Sequence, residues 1–228
     1  MPDFVAALAR GIKRLRVGVL ERHFTEGMHA DVEKAYREAL SAFETLGATT
    51  VRVDVPHAHL ATPAGTMIAM ADAATFYEKR LRESAALFDP LVRERLATAG
   101  FYLATDYIKA QRLRTLLTTE MLDALGRCAV IATPAYPRLP ARVQSAEAAR
   151  TDVPATASPE PYRASNSYIA NMTGIPALVL PCGFSSGAPA LPIALQLYGA
   201  PFDEATLLRV GHAYQQATRW HTRRPPLD

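Results

Sequence analysis

The chain has little cysteine, little lysine and no long apolar run, and each shortage closes off a class of protein. Two cysteines in 228 residues, Cys128 and Cys182, cannot staple a small secreted domain. Both lie in apolar strand-like surroundings and read as buried thiols in a reducing compartment. No stretch approaches the ~20 apolar residues of a membrane-spanning helix. Met1-Pro2-Asp3-Phe4 lacks the basic-then-apolar order of a secretory leader, so a cytoplasmic location away from membranes is expected. There is no glycine-rich phosphate loop. Only four lysines occur, Lys13, Lys34, Lys79 and Lys109, so arginine carries nearly all the positive charge. The net charge is +3, and the arginines are dispersed rather than gathered into a phosphate-tracking stripe; nucleic acid is not an expected partner. Among six histidines the one close pair is His57-x-His59. It has no cysteine or acid nearby at zinc spacing, so it reads as a loop pair that binds nothing, and no metal or cofactor is expected.

What is present is a well-stocked core. Apolar residues make up 49% of the sequence, enough for one domain spanning 1–228. Leu15 to Leu20 predicts a strand. Asp31 is placed to cap a helix whose apolar stripe is Val32, Ala35, Tyr36, Ala39, Leu40, Phe43 and Leu46, with Gly47 just past its end. The β-branched run Thr50 to Val55 follows as a second strand. Strand, helix, strand is a βαβ unit, so these strands should be parallel. Helices are predicted over about 66–87 and 90–99. Gly100 marks a boundary, and Thr105 caps a further helix. Its apolar positions are Tyr107, Ile108, Leu113, Leu116, Leu117, Met121, Leu122 and Leu125, and Gly126 stops it. Cys128 to Ala132 is a short strand. From Pro137 to Pro161 the chain is rich in Pro, Ala and Ser without a period, and predicts a long loop. Tyr162 to Met172 is a helix closed by Gly174, with Pro176 preventing its continuation. Ala177 to Pro181 and Pro192 to Leu197 are strands, the first unbroken in its apolar character as if covered on both faces. A helix from Asp203 to Ala217 ends the fold. The overall class is α/β, a mixed sheet with flanking helices.

The order Asn171-Met172-Thr173-Gly174-Ile175-Pro176-Ala177, then Pro181-Cys182-Gly183, then Leu191-Pro192-Ile193-Ala194-Leu195-Gln196-Leu197-Tyr198-Gly199, then Glu204-Ala205-Thr206-Leu207-Leu208, resembles the C-terminal part of the amidase signature family. So do Gly100 with Asp106-Tyr107, Ala110 and Arg114, the Thr133-Pro134-Ala135-Tyr136-Pro137 segment, and Thr218-Arg219-Trp220-His221 before Pro225. The match departs at Ala190 and Ala194, where the family often has glycine, and at Arg127-Cys128, where an acidic start is usual. The resemblance covers essentially the whole sequence but only the later half of the family's pattern, beginning at Gly11-Ile12-Lys13-Arg14.

The resemblance implies an amidase whose reacting groups are a serine nucleophile, a second serine on a cis peptide bond, and a lysine as ultimate base, with a Gly/Ser-rich loop supplying N–H groups for the oxyanion. All of these precede the portion seen here. Gly183-Phe184-Ser185-Ser186-Gly187-Ala188 looks superficially similar to that loop, but its place just before Leu191-Pro192 makes it a surface turn. Lys34 and Lys109 fall on the polar sides of helices and Lys13 precedes a strand. No catalytic residue is therefore assigned within the chain. What the resemblance leaves to this half is a pocket wall. The family's glutamine-dependent amidotransferases carry an aspartate seven residues before the Asn, where this sequence has Ala164. A substrate ammonium would lose its counter-charge there, which argues against free glutamine. Ala164, Tyr168 one helical turn on, and Tyr136 are the candidate substrate-binding residues, suited to an apolar or aromatic acyl group.

The expected function follows: the C-terminal portion of an amidase that hydrolyses a small carboxamide to acid and ammonia or amine, inactive alone. Its partners would be the missing N-terminal half or a complementary chain, and the small amide substrate. Exposed apolar edges would also favour homo-oligomers. The alternative is a non-catalytic partner or binding module that retains the scaffold.

Overall fold

The computed structural model describes residues 3–20, 22–140 and 166–224. Seven helices and five strands are named here from those residues. They are α1 (Phe4–Leu8), β1 (Arg16–Val19), α2 (Ala30–Thr45), β2 (Thr49–Arg52), α3 (Ala61–Ser84), α4 (Pro90–Ala99), α5 (Ala104–Leu125), β3 (Val130–Pro134), α6 (Tyr168–Thr173), β4 (Ala177–Phe184), β5 (Pro192–Gly199) and α7 (Glu204–Thr218). The strands form a single mixed sheet in the order β2-β1-β3-β5-β4. β1 runs parallel to β2, as the βαβ pattern required, and also parallel to β3. β5 runs antiparallel to its neighbours β3 and β4.

Helices cover both faces of this sheet, which is why β3, at its centre, is buried throughout. On one face α2 and α7 pack over the alternating residues Leu180, Leu195 and Leu197, with Phe43 and Tyr214 between them. On the other, Leu117 and Met121 of α5, Ala64 of α3, and Ile169 and Met172 of α6 enclose Ile131 and Tyr198. The expected stripe of α2 holds: Val32, Ala35, Tyr36, Ala39 and Phe43 are buried. On α5 it does not. Leu117, Met121 and Leu125 are buried, whereas Ile108, Leu116 and Leu122 face solvent. That helix packs mainly on α3 and α6 along one face, so its apolar residues exceed the surface available to bury them.

Several boundaries differ from the sequence expectation, each for a local reason. α2 is capped by His29, whose ring accepts from the Asp31 N–H at 3.2 Å. Asp31 instead accepts from the Ser186 N–H and hydroxyl, at 2.9 and 3.0 Å. The Ser186 backbone N–H, foremost, holds the Asp31 carboxyl below the usual carboxylate range. α5 begins at Ala104 after Leu103, which places Thr105 inside its first turn rather than at its cap. β4 does not stop at Pro181. The register slips between Pro181 and Gly183, and this bulge lets the strand continue to Phe184 despite a residue with no N–H to offer. Gly174 closes α6 in the left-handed conformation, φ 71°, as predicted. α6 begins at Tyr168; residues 162–165 of the helix expected from Tyr162, and most of the expected long loop, fall within 141–165, outside the described residues.

Both cysteines are free thiols and both are buried. Burial pushes Cys128 up to about 11 and Cys182 up to about 12, because the thiolate would be left without water. The native chain should therefore take up essentially no thiol reagent at pH 8 and two equivalents once unfolded in guanidinium. One equivalent reacting rapidly in buffer would show that the segment around one of the cysteines opens.

Candidate functional site

The cleft that the fold builds from predicted residues lies where α3, α5 and α6 meet. It has a volume of about 430 Å³, and its walls are Gly65, Ile68, Ala69 and Asp72 from α3, Tyr107, Gln111 and Arg114 from α5, and Tyr168, Asn171 and Met172 from α6. Close helix approach makes it. A Cβ on Gly65 would stand 2.8 Å from Tyr168 Cδ1 and 3.2 Å from Met172 Sδ, so the missing side chain is what lets α6 seat on α3. Arg114 Nε donates to the Met172 carbonyl at 2.8 Å, which ties the end of α6 to α5 and satisfies a carbonyl of the last helical turn. Gln111 Nε2 donates to the Tyr107 hydroxyl at 2.9 Å, and the Thr66 hydroxyl reaches that of Tyr168 at 3.5 Å.

The cleft thus offers two phenols, two amides, a guanidinium and a carboxylate over an apolar floor. It can hold and orient a ligand. Among the described residues its lining holds no serine, cysteine or lysine, the groups that the expected mechanism uses as nucleophile and base. Of the three predicted residues, Tyr168 lines it and Tyr136 does not. Tyr136 follows β3 and is 47% exposed. Ala164 lies outside the described residues. Sequence reasoning missed Asp72 and Gln111, which carry no motif, and put Tyr107 in a helix stripe when it stands at the cleft's rim.

A second polar group lies deeper, on the same face of the sheet. Asn166 Nδ2 donates to the Pro134 carbonyl, and the Tyr198 hydroxyl donates to the Asn166 carbonyl. Tyr198 is buried, and that burial holds its hydroxyl protonated far above the ordinary phenol range. Thr133 and Gln196 are close enough to bias that ionisation. Yet Thr133 Oγ1 and Gln196 Oε1 have no partner of hydrogen-bond geometry among the described residues.

The serine-rich turn is structural. Ser185 Oγ accepts the Leu191 N–H at 2.9 Å and Ser186 is held by Asp31, so both hydroxyls serve to close the β4–β5 turn. All four lysines are exposed, with Lys109 3.0 Å from Asp106. A lysine that works as a base has to be stripped of water, and these are not. The His57-x-His59 pair did acquire an acid that the local sequence could not show. Glu120, 63 residues on, accepts the His57 N–H at 3.0 Å and pairs with its ring. The two rings are 6.4 Å apart, and among the described residues no group of three His, Cys, Asp or Glu is arranged to hold a metal. No helix of the described residues is long and apolar enough to cross a membrane.

Set beside known proteins, residues 1–208 match the sequence model of a family described as Amidase. The chain is 38% identical over 229 residues to an amidase of Pseudomonas putida, covering 100% of this chain and 48% of that protein. It is also 38% identical over 251 residues to a glutamyl-tRNA(Gln) amidotransferase subunit from Chloroflexus aggregans, covering 99% of this chain and 49% of the relative. A bacterial aryl acylamidase of the amidase signature enzymes superposes with a TM-score of 0.81 at 18% identity, over 97% of this chain and 47% of that one. The chain spans about half the length of the relatives it matches.

Proposed function

This chain belongs to the amidase signature family, and from that premise we propose that it is the scaffold-and-wall half of an amidase hydrolysing a small carboxamide to acid and ammonia or amine. The reacting serines and lysine would come from polypeptide corresponding to the other half of its relatives, on the same longer protein or on a separate chain. The observation that carries this reading is the coverage: the entire chain aligns, yet it accounts for only 48% of the Pseudomonas putida amidase. The exposed lysines and the serines committed to the β4–β5 turn fit the same reading.

In this role the α3–α5–α6 cleft contributes to the acyl side of the pocket, with Tyr168 as an apolar and aromatic surface. Attack, proton transfer and oxyanion binding fall to the complementary half through the serine, cis-serine and lysine of the family. The amide C–N bond breaks as the nucleophilic serine acylates, the leaving nitrogen takes a proton, and water then releases the acid. The test is an amide-hydrolysis assay on the purified 228-residue chain, run beside a chimera that joins it to the part of the Pseudomonas putida amidase it does not match. The chain alone should show no turnover above buffer, and the chimera should release ammonia. Turnover by the chain alone that depends on Ser185 or Ser186 would overturn the reading.

A further inference from the structure

Tyr198 lines no part of the cleft, yet its hydroxyl grips the chain where the cleft's short helix begins. α6 is six residues long, and Ser167 before it makes no side-chain cap. A helix of that length does not hold itself in water, so its position is set by its anchors. Two anchors belong to the cleft walls: Arg114 Nε donates to the Met172 carbonyl, and Tyr168 and Met172 seat against Gly65. The third comes from the sheet. The Tyr198 hydroxyl donates to the Asn166 carbonyl, and Asn166 Nδ2 donates to the Pro134 carbonyl. The same Asn166 carbonyl accepts the Ile169 N–H at 3.3 Å, so Tyr198 holds the first turn of α6 itself. Tyr168 opens that turn, and its own hydroxyl has only the 3.5 Å contact with Thr66, so the place of its ring follows the turn. Both Tyr198 and Asn166 are buried, which leaves no bulk water to stand in for the tie. The Tyr198 hydroxyl has one proton to give. Thr133 and Gln196 are cross-strand partners on the same face, and their oxygens, without a partner among the described residues, are alternative acceptors for it. Commitment of that proton to Asn166 is what fixes the start of α6.

We infer that Tyr198 is a positioning residue for acyl selectivity: through the Asn166 carbonyl its hydroxyl sets the first turn of α6, and so the wall that Tyr168 presents to the substrate. The inference rests on the proposed function, since the selectivity belongs to the assembled amidase, and adds to it a determinant that never touches the substrate. A displacement on the order of 1 Å at a positioning element is enough to change rates severalfold, so a single buried hydroxyl can control the wall from beneath it.

Tyr198→Phe removes the hydroxyl and keeps the ring. In the isolated 228-residue chain the melting temperature should fall by roughly 2–6 °C, and the Ile169 and Gly174 amides of α6 should exchange about tenfold faster, with the amides of α2 unaffected. In the chimera with the complementary part of the Pseudomonas putida amidase, the ratio of kcat/KM for benzamide to that for acetamide should fall about threefold or more. Tyr36→Phe is the control. It deletes another buried hydroxyl, the one that donates to the Ala132 carbonyl at 3.0 Å from the opposite face of the sheet, and should leave both the α6 exchange and the ratio unchanged. Asn166→Ala, which keeps the carbonyl and loses the bond to Pro134, should move the ratio in the same direction as Tyr198→Phe, and decides the matter if the latter does not fold. Loss of kcat/KM by one common factor for the two amides, or α6 exchange that rises no more than that of α2, would make Tyr198 a plain core residue and overturn the inference. A wild-type chimera without turnover would sink the proposed function instead, and the exchange rates in the isolated chain would then decide by themselves whether Tyr198 positions α6.

Discussion

Phe43→Ala should cost this chain about 3–5 kcal/mol, the range for truncating a fully buried aromatic to a cavity. Phe43 has no accessible surface and sits where α2 crosses the sheet, its ring 5.3 Å from that of Tyr214 on α7. Removing it empties the joint between two helices and the strands beneath them, and neither helix can slide inward to close the gap without losing its own contacts. At roughly 2–4 °C per kcal/mol for a domain of this size, the melting temperature should fall by about 6–20 °C. The denaturant midpoint should fall with it at an unchanged m-value. Phe43→Leu, which keeps most of the volume, should recover much of the loss. Phe76→Ala is the control: that ring is 75% exposed, and its removal should change stability by no more than about 0.5 kcal/mol. An equal loss at the two positions would show that α3 carries more of the fold than its exposure allows.

Phe43 also shows what the sequence could express. The α2 stripe is periodic, local and bounded by Gly47, so its buried face could be written down residue by residue, and the parallel pairing of β1 and β2 followed from chain order. The C-terminal motif was legible for the same reason, because Gly174 and Pro176 punctuate a short stretch, although β4 ran on through Pro181. Where a partner lay far along the chain the reading failed. Asp31 looked like a helix cap because nothing local reveals that Ser186 will claim it. His57 looked solitary because Glu120 is brought to it only by α5 packing. The α5 stripe was overfilled, since apolar spacing shows which residues could be buried but not how much neighbouring surface exists to bury them. The cleft was half legible: Tyr168 came from its place before Asn171, whereas Asp72 and Gln111 became neighbours only through helix packing. Gly65 carries no motif either, since its value is the 2.8 Å that a side chain there would leave to Tyr168.

Tyr168→Ala, made in the chimera with the complementary half, should change acyl selectivity rather than abolish turnover. The ring is partly buried against Gly65 at one end, and its hydroxyl lies 3.5 Å from Thr66, so it is held rather than free to swing. A held aromatic face favours a flat or branched apolar acyl group over a small one, and deleting it removes on the order of 1–3 kcal/mol of that discrimination, or about 10- to 100-fold in relative kcat/KM. The expected result is a larger loss for benzamide-type than for acetamide-type substrates, with little change in melting temperature beyond the cost of a half-buried side chain. Gly65→Ala provides an independent handle, because its Cβ presses on the same ring without touching the ring's chemistry. It should shift selectivity in the same direction by displacing Tyr168. If both substitutions lower kcat/KM for the two amide classes by one common factor, Tyr168 is a packing residue of α6, and the acyl wall lies elsewhere in the assembled enzyme.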